Sequence, residues 1–239
     1  MSIRCWISTL LTCPALLLIA SCATTTAPSD GVEFRSANWD NAIETGFAVT
    51  PVSAAPEITD SAEATAQFTN ELYTGLQISL PQTAFVSPHQ TLTRLDTVGR
   101  NAHSRLRSLR RDLYQNDVLD QENTAGVSRD LQSRYALLGW FEEVTQEITK
   151  GGGFYSFGAG DAPPGSGTER TVVQPIKFEQ VDGHAVAIVV DLQEAEVLWR
   201  GSVEYKTNQT ENVKGAFEQE LDRARADAAI RLADHVGEY

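Results

Sequence analysis

The stretch Leu131-Gln132-Ser133-Arg134-Tyr135-Ala136-Leu137-Leu138-Gly139 divides the chain into two periodicities. Ahead of it, apolar residues recur every three or four positions, the spacing of helices with one buried face; behind it, the spacing is that of strands. Ala136-Leu137-Leu138-Gly139 itself reads as a buried strand ending at a glycine that lets another backbone approach.

Working back from this point, four helices are predicted. One covers about 121–132, weakened by Gly126, and one about 102–115 with Leu106, Leu109 and Leu113 inward. A third follows Ser87-Pro88-His89-Gln90, a capping box with proline at the first helical position, and is expected to bury Leu92, Leu95 and Val98. The fourth, about 61–79, opens on the pairing of Asp60 with Glu63 and carries Ala64, Phe68, Leu72 and Leu76. Two short strands interleave with them, Gly46 to Val52, closed by Pro51, and Thr83 to Val86.

Forward of Arg134, strands are predicted over 135–149, 170–181, 184–192 and 196–206, with Asp182-Gly183 as a two-residue hairpin turn. Residues 150–169 form a Gly- and Pro-rich loop, and the chain ends in a helix over about 213–236 with Phe217, Leu221, Ala224, Ala228 and Leu232 on one stripe. The expected fold is a single α/β (α+β) domain of three-layer type. A mixed sheet of five to six strands is flanked by helices and followed by a long C-terminal helix.

The amino-terminal segment carries different information. Arg4 precedes an interrupted apolar stretch from Ile7 to Ile19, shorter than the roughly 20 residues that span a bilayer. Leu16-Leu17-Leu18-Ile19-Ala20-Ser21-Cys22 then resembles the recognition site of bacterial prolipoproteins. That resemblance implies that residues 1–21 are a signal peptide and that Cys22, the mature first residue, carries diacylglycerol and an N-acyl chain. Cys5 and Cys13 would leave with the signal, so the mature domain holds no disulfide and must rest on its packed core. Ala23 stands where retention-type lipoproteins usually have Asp, which implies the periplasmic face of the outer membrane. From Ala23 to about Asn38 the composition is that of a flexible tether, about 50 to 70 Å at full extension, and the domain is expected to occupy 44–239 after a lipidated tether over 22–43.

Loss of residues 1–21 removes one charge, Arg4, and takes the formal net charge from −13 to −14. Such a balance disfavours nucleic acid and any electrostatic grip on anionic lipid, leaving the acyl anchor as the route to the membrane.

The phrases Phe47-Ala48-Val49-Thr50-Pro51-Val52, Ala84-Phe85-Val86, the dividing stretch, Ala187-Ile188-Val189-Val190-Asp191 and Glu196-Val197-Leu198-Trp199-Arg200-Gly201 occur in a telling order. In arrangement the chain resembles the periplasmic α/β family shared by the curli secretion lipoprotein CsgG, the penicillin-binding-protein activator LpoB and the amino-terminal domain of TolB. The resemblance implies a non-enzymatic module that binds or regulates another envelope protein, and leaves oligomerisation open. Its alternative is a CsgG-like secretion pore in which the hairpin from Tyr135 to Val181 enters the membrane. Against the pore, neither face of 140–149 is wholly apolar, and Pro175 interrupts the partner strand. Trp199 reads as core.

Catalytic chemistry finds little support. The glycine loop has no phosphate-binding motif, Ser166 is not in a G-x-S-x-G elbow, and His89, His103, His184 and His235 show no metal-ligand spacing. No cofactor, no metal and no enzymatic activity are expected. Glu142, Glu143, Glu147, Asp191, Glu194 and Glu196 read as solvated surface. Two features remain as partner-binding candidates: the arginines Arg105, Arg107, Arg110 and Arg111, with Arg100 nearby, and the aromatics Phe154, Tyr155 and Phe157 on the glycine loop. The arginines would otherwise make local pairs with Asp112 and Asp117 on a solvated helix.

Overall fold

A computed structural model of the chain describes residues 30–54, 61–155, 172–210 and 214–238, with side chains for 30–54, 62–145, 180–207 and 218–238. Cys22, Asp60, Phe157 and the acyl-anchor segment lie outside the described residues.

Among them, the elements run β1 (Gly31–Arg35), α1 (Trp39–Thr45), β2 (Phe47–Val49), β3 (Ser53–Ala54), α2 (Ser61–Ser79), β4 (Phe85–Val86), α3 (Pro88–Val98), α4 (Arg100–Asn116), α5 (Gln121–Leu131), β5 (Tyr135–Tyr155), β6 (Val172–Asp191), β7 (Glu196–Thr210) and α6 (Lys214–Gly237). The seven strands form one mixed sheet in the order β1-β7-β6-β5-β2-β4, with β3 also beside β5. β2 runs parallel to β4 and to β5, whereas β5, β6, β7 and β1 pair antiparallel.

Alternation along the strands assigns the two faces. Phe47, Val49, Leu137, Phe141, Ala187, Val189 and Trp199 pack with α1, α2 and α6. Ala48, Ala136, Leu138, Val186, Ile188 and Val190 pack with α3, α4 and α5. The three-layer α/β arrangement is therefore present. Trp199 is wholly buried, its ring 6.1 Å from that of Trp39. The close neighbour of Gly139 is a side chain: a Cβ there would meet Val52 at 3.0 Å.

Four local expectations change. Residues 30–35 belong to the fold although they lie inside the stretch whose composition suggested a tether: β1 pairs with β7, and Asp30 meets Arg231 at 2.7 Å and His235 at 3.3 Å on α6. These partners lie some two hundred positions away, beyond the reach of composition.

Asp182-Gly183 is not a turn, because β6 continues through it. Gly183 stands between Glu143 and Tyr205 on the neighbouring strands, and a Cβ there would fall within the Tyr205 ring. The true β6–β7 turn is organised by Asp191, whose Oδ1 accepts the Gln193 and Glu194 N–H groups at 2.9 and 3.2 Å, an Asx-type turn, with Ala195 at φ 54°.

Pro175 is accommodated rather than disruptive. The β5–β6 register shifts between Lys150 and Gly153, so two glycines bulge opposite the residue that has no N–H to give. Finally, Leu95 is buried in α3, but Leu92 and Val98 are 40% and 50% exposed. The capping box of α3 forms as expected, Ser87 Oγ accepting from the Gln90 N–H.

Candidate functional site

β2 and β4 are parallel neighbours, yet the chain leaves them in opposite directions: β2 leads to α2 on one face of the sheet and β4 to α3 on the other. Between such strands the carboxyl ends open a crevice, the place where open α/β sheets take ligands. A groove of about 350 Å³ lies there, lined by Pro51 and Val52 beyond β2, Thr65, Ala66, Thr69 and Asn70 of α2, and Pro88, His89 and Leu92 of α3. This accounts for the exposure of Leu92.

The wall is fixed by Thr69, whose Oγ1 accepts the Val52 N–H at 2.9 Å and donates to the Thr65 carbonyl at 2.6 Å. No acidic residue lines the groove among the described residues. Sequence reading missed it. The available signal was a repeated ending, Ala48-Val49-Thr50-Pro51 and Phe85-Val86-Ser87-Pro88, in which a hydroxyl residue and proline close each parallel strand.

Arg110 reaches the same corner from α4. Its Nη2 donates to Thr50 Oγ1 at 2.8 Å and to the Pro51 carbonyl, while Nε is shut off from solvent without an acceptor. Burial lowers its pKa to about 10, so the group is still charged at neutral pH. Among the described residues no carboxylate pairs with it.

Other arginines differ. Arg105 forks onto Asp130 at 2.8 and 2.7 Å, and Arg134 holds Asp191 Oδ2 at 2.9 and 2.7 Å. Arg94 donates to the Leu131 carbonyl at the end of α5, where a cation is favoured. Gly126 makes room for Arg105: a Cβ there would stand 2.8 Å from its Cδ, so this glycine serves packing in α5.

The arginine group is thus divided. Arg105 and Arg110 turn inward, whereas Arg107 and Arg111 lie on the exposed side of α4, with Arg111 3.5 Å from its neighbour Asp112. Asp117 pairs with Arg200 of β7 rather than with α4. The exposed row continues to Tyr114, whose ring edge meets Trp140 at 4.9 Å and whose hydroxyl donates to Glu142 at 2.5 Å. Phe154 and Tyr155 are backbone-paired with Val173 and Val172; their side chains, like Phe157, lie outside the described ones.

Two carboxylates expected on the surface are buried. Asp191 serves the turn and Arg134 together, and its side chain is 4% exposed. Glu143 accepts from Arg225 at 2.7 Å through both oxygens and from the Tyr205 hydroxyl at 2.5 Å. Burial pulls the Arg225 pKa down, and the hydrogen bonds and charge of Glu143 reverse this, leaving it raised. Burial first, then the Glu143 charge, pushes the Tyr205 phenol well above its ordinary value.

No protein-family model matches the chain, and no curated protein matches it. Among solved structures it is similar to lipoprotein GNA1162 from Neisseria meningitidis, at 11% identity over 75% of this chain and 94% of that one, with a TM-score of 0.38. It is also similar to the PelC dodecamer protein from Paraburkholderia phytofirmans, at 9% identity over 88% and 95%, TM-score 0.34. A third is LpoB from E. coli, at 13% identity over 87% and 85%, TM-score 0.30. Bacterial lipoproteins are thus among its structural neighbours.

Proposed function

We propose that the chain is an envelope lipoprotein, acylated at Cys22 and held at the periplasmic face of the outer membrane, whose domain binds and regulates another envelope protein without catalysis. The observation that carries this reading is the position of the lipobox-like run: Cys22 stands eight residues before Asp30, which is already clipped to α6. The leash is therefore about 26 to 29 Å long at most, half the reach that composition suggested. A domain so placed meets partners close to the membrane. The exposed α4 row of Arg107, Arg111 and Tyr114 supports the binding reading, because it concentrates positive charge on a strongly acidic chain and ends in an aromatic.

The test has two parts. Fatty-acid labelling is expected to be lost in Cys22→Ala, together with membrane fractionation. Crosslinking in intact cells is expected to capture one envelope protein with the wild type and far less of it with Arg107→Glu/Arg111→Glu. Undiminished labelling, or equal capture by the charge-reversed protein, contradicts the reading.

One observation favours the pore alternative as a second reading. β5 and β6 continue about twelve residues past Glu143 as a ribbon, and β1 runs antiparallel to β7 with its Gly31 end nearer the ribbon. Single-channel conductance from purified protein would establish that reading; its absence in planar bilayers would remove it.

A further inference from the structure

β1 and its neighbour β7 are held in different ways. β7 places Leu198, Trp199 and Val203 in the core, whereas β1 gives no side chain to either core: every residue from Val32 to Arg35 is exposed, Val32 at 39% and Phe34 at 47%. Its ladder is short and interrupted. Gly31 and Val32 stand opposite Ser202 and Gly201, the register shifts at Glu33, and Phe34 and Arg35 stand opposite Arg200 and Trp199. Edge hydrogen bonds with so little apolar contact behind them are among the first to open locally.

The other ties of this segment are polar contacts at the surface. Asp30 meets Arg231 and His235, Glu33 accepts from the Ser202 hydroxyl, and Arg35 reaches Asp40 at 3.4 Å and the Glu238 carbonyl at 3.0 Å. Exposed ion pairs contribute little to stability. Nor does parting them strand a charge on α6, because Arg231 keeps Asp227 at 3.1 Å and the Glu204 carbonyl at 2.8 Å, and His235 keeps Glu238 at 3.3 Å. β7 meanwhile retains its ladder with β6. Beyond Arg35 the attachment changes in kind. The Ser36 N–H donates to the Leu198 carbonyl at 2.7 Å, its hydroxyl donates to Glu196 at 2.9 Å, and Trp39 is 1% exposed, its ring 6.4 Å from Phe47 and 6.1 Å from Trp199.

We propose that β1 is a releasable strap: residues 30–35 part from β7 and α6 while the rest of the domain stays folded, and Ser36 and Trp39 form the stop. The consequence is an anchored domain with two reaches. The eight residues from Cys22 to Asp30 span at most about 26 to 29 Å, and the fourteen from Cys22 to Ser36 at most about 46 to 50 Å. The tether joins the fold at Asp30, so tension from the membrane falls first on the Asp30 clip. A partner that holds the domain away from the membrane thereby draws the strap out. The meaning of the two reaches rests on the acylation of Cys22 proposed above, whereas the strap itself does not.

The test is native-state hydrogen exchange on the full-length protein in detergent, over a range of urea concentrations below the unfolding transition. Amides bonded between β1 and β7 are expected to exchange at least about 100-fold faster than those of Ala187 to Val190 in β6, at a rate nearly independent of urea, because the opening exposes little surface. Asp30→Asn is expected to speed exchange of those β1–β7 amides about two- to tenfold and to leave the global urea midpoint unchanged. Trp39→Leu, at the stop, is expected to lower the global midpoint. The proposal is overturned if the β1–β7 amides exchange with the urea dependence of β6, if Asp30→Asn lowers the global midpoint, or if Trp39→Leu leaves it where it is. Absence of fatty-acid labelling at Cys22 together with urea-independent exchange of β1 would count against the functional reading and not against the strap.

Discussion

Arg225 and Arg110 are both carried against the sheet by a helix, one on each face, and they end in opposite electrostatic states. Arg225 closes a circuit with Glu143 and Tyr205, its side chain 9% exposed and that of Glu143 8%. Arg110 meets the hydroxyl of Thr50 and the carbonyl of Pro51 and no carboxylate among the described residues. The first arrangement pairs charge with charge within the fold, whereas the second lies at the carboxyl ends of parallel strands, beside the groove, and is held by neutral oxygens. A buried ion pair says little about stability by itself, but removing one partner of it says a great deal.

The largest expected effect comes from breaking the completed circuit. Arg225→Met should destabilise the protein by about 3 to 5 kcal/mol in urea unfolding, because it leaves Glu143 buried and unpaired. A loss below about 1 kcal/mol would mean that Glu143 reaches water and that the two faces do not differ in kind.

Gly183→Ala probes the same circuit through packing. A Cβ would enter the space of the Tyr205 ring, and a loss of about 1 to 3 kcal/mol is expected. No change would show that the ring can move aside.

The circuit also has a pH signature. The Tyr205 pKa is raised in the folded state, so the folded protein holds that proton longer than the unfolded chain does. Its contribution is fully present below the unfolded value near 10 and is lost as pH rises above it, by at most about 1.4 kcal/mol per pH unit. Unfolding midpoints from pH 9 to 11 should therefore fall more steeply for the wild type than for Tyr205→Phe, and parallel curves would argue against the burial of the phenol.

The smallest effect is expected on the exposed row. Arg107→Gln should alter stability by less than about 0.5 kcal/mol while reducing capture of an envelope partner in crosslinking.

How much of this was legible in the sequence follows from the distance between cause and effect. The span Ser61–Ser79 and the capping box at Ser87 depend on residues within a turn of one another, and they were readable. Asp182-Gly183 was misleading because a local turn signal is indistinguishable from a glycine that makes room for Tyr205 on the next strand. β1 was hidden for a related reason, since Gly31-Val32-Glu33-Phe34-Arg35 becomes a strand through β7 and is tied down by Arg231 and His235. At the site, the arginine group was visible as composition. That Arg105 would find Asp130 and Arg110 would find only neutral oxygens depends on the packing of α4 against α5 and the β2 corner. The groove depends on two strand ends that adjoin only in the folded sheet.

The contrast between the two arginines is tested most directly by the urea unfolding midpoint of Arg110→Met. Methionine keeps much of the side chain's length and removes a charge that meets no carboxylate among the described residues. The midpoint is expected to stay where it is or to rise, as it does when unpaired buried charge is replaced by apolar volume. A fall comparable to that of Arg225→Met would show that Arg110 is held within the fold as firmly as Arg225, and would contradict the claim that the two arginines differ in kind.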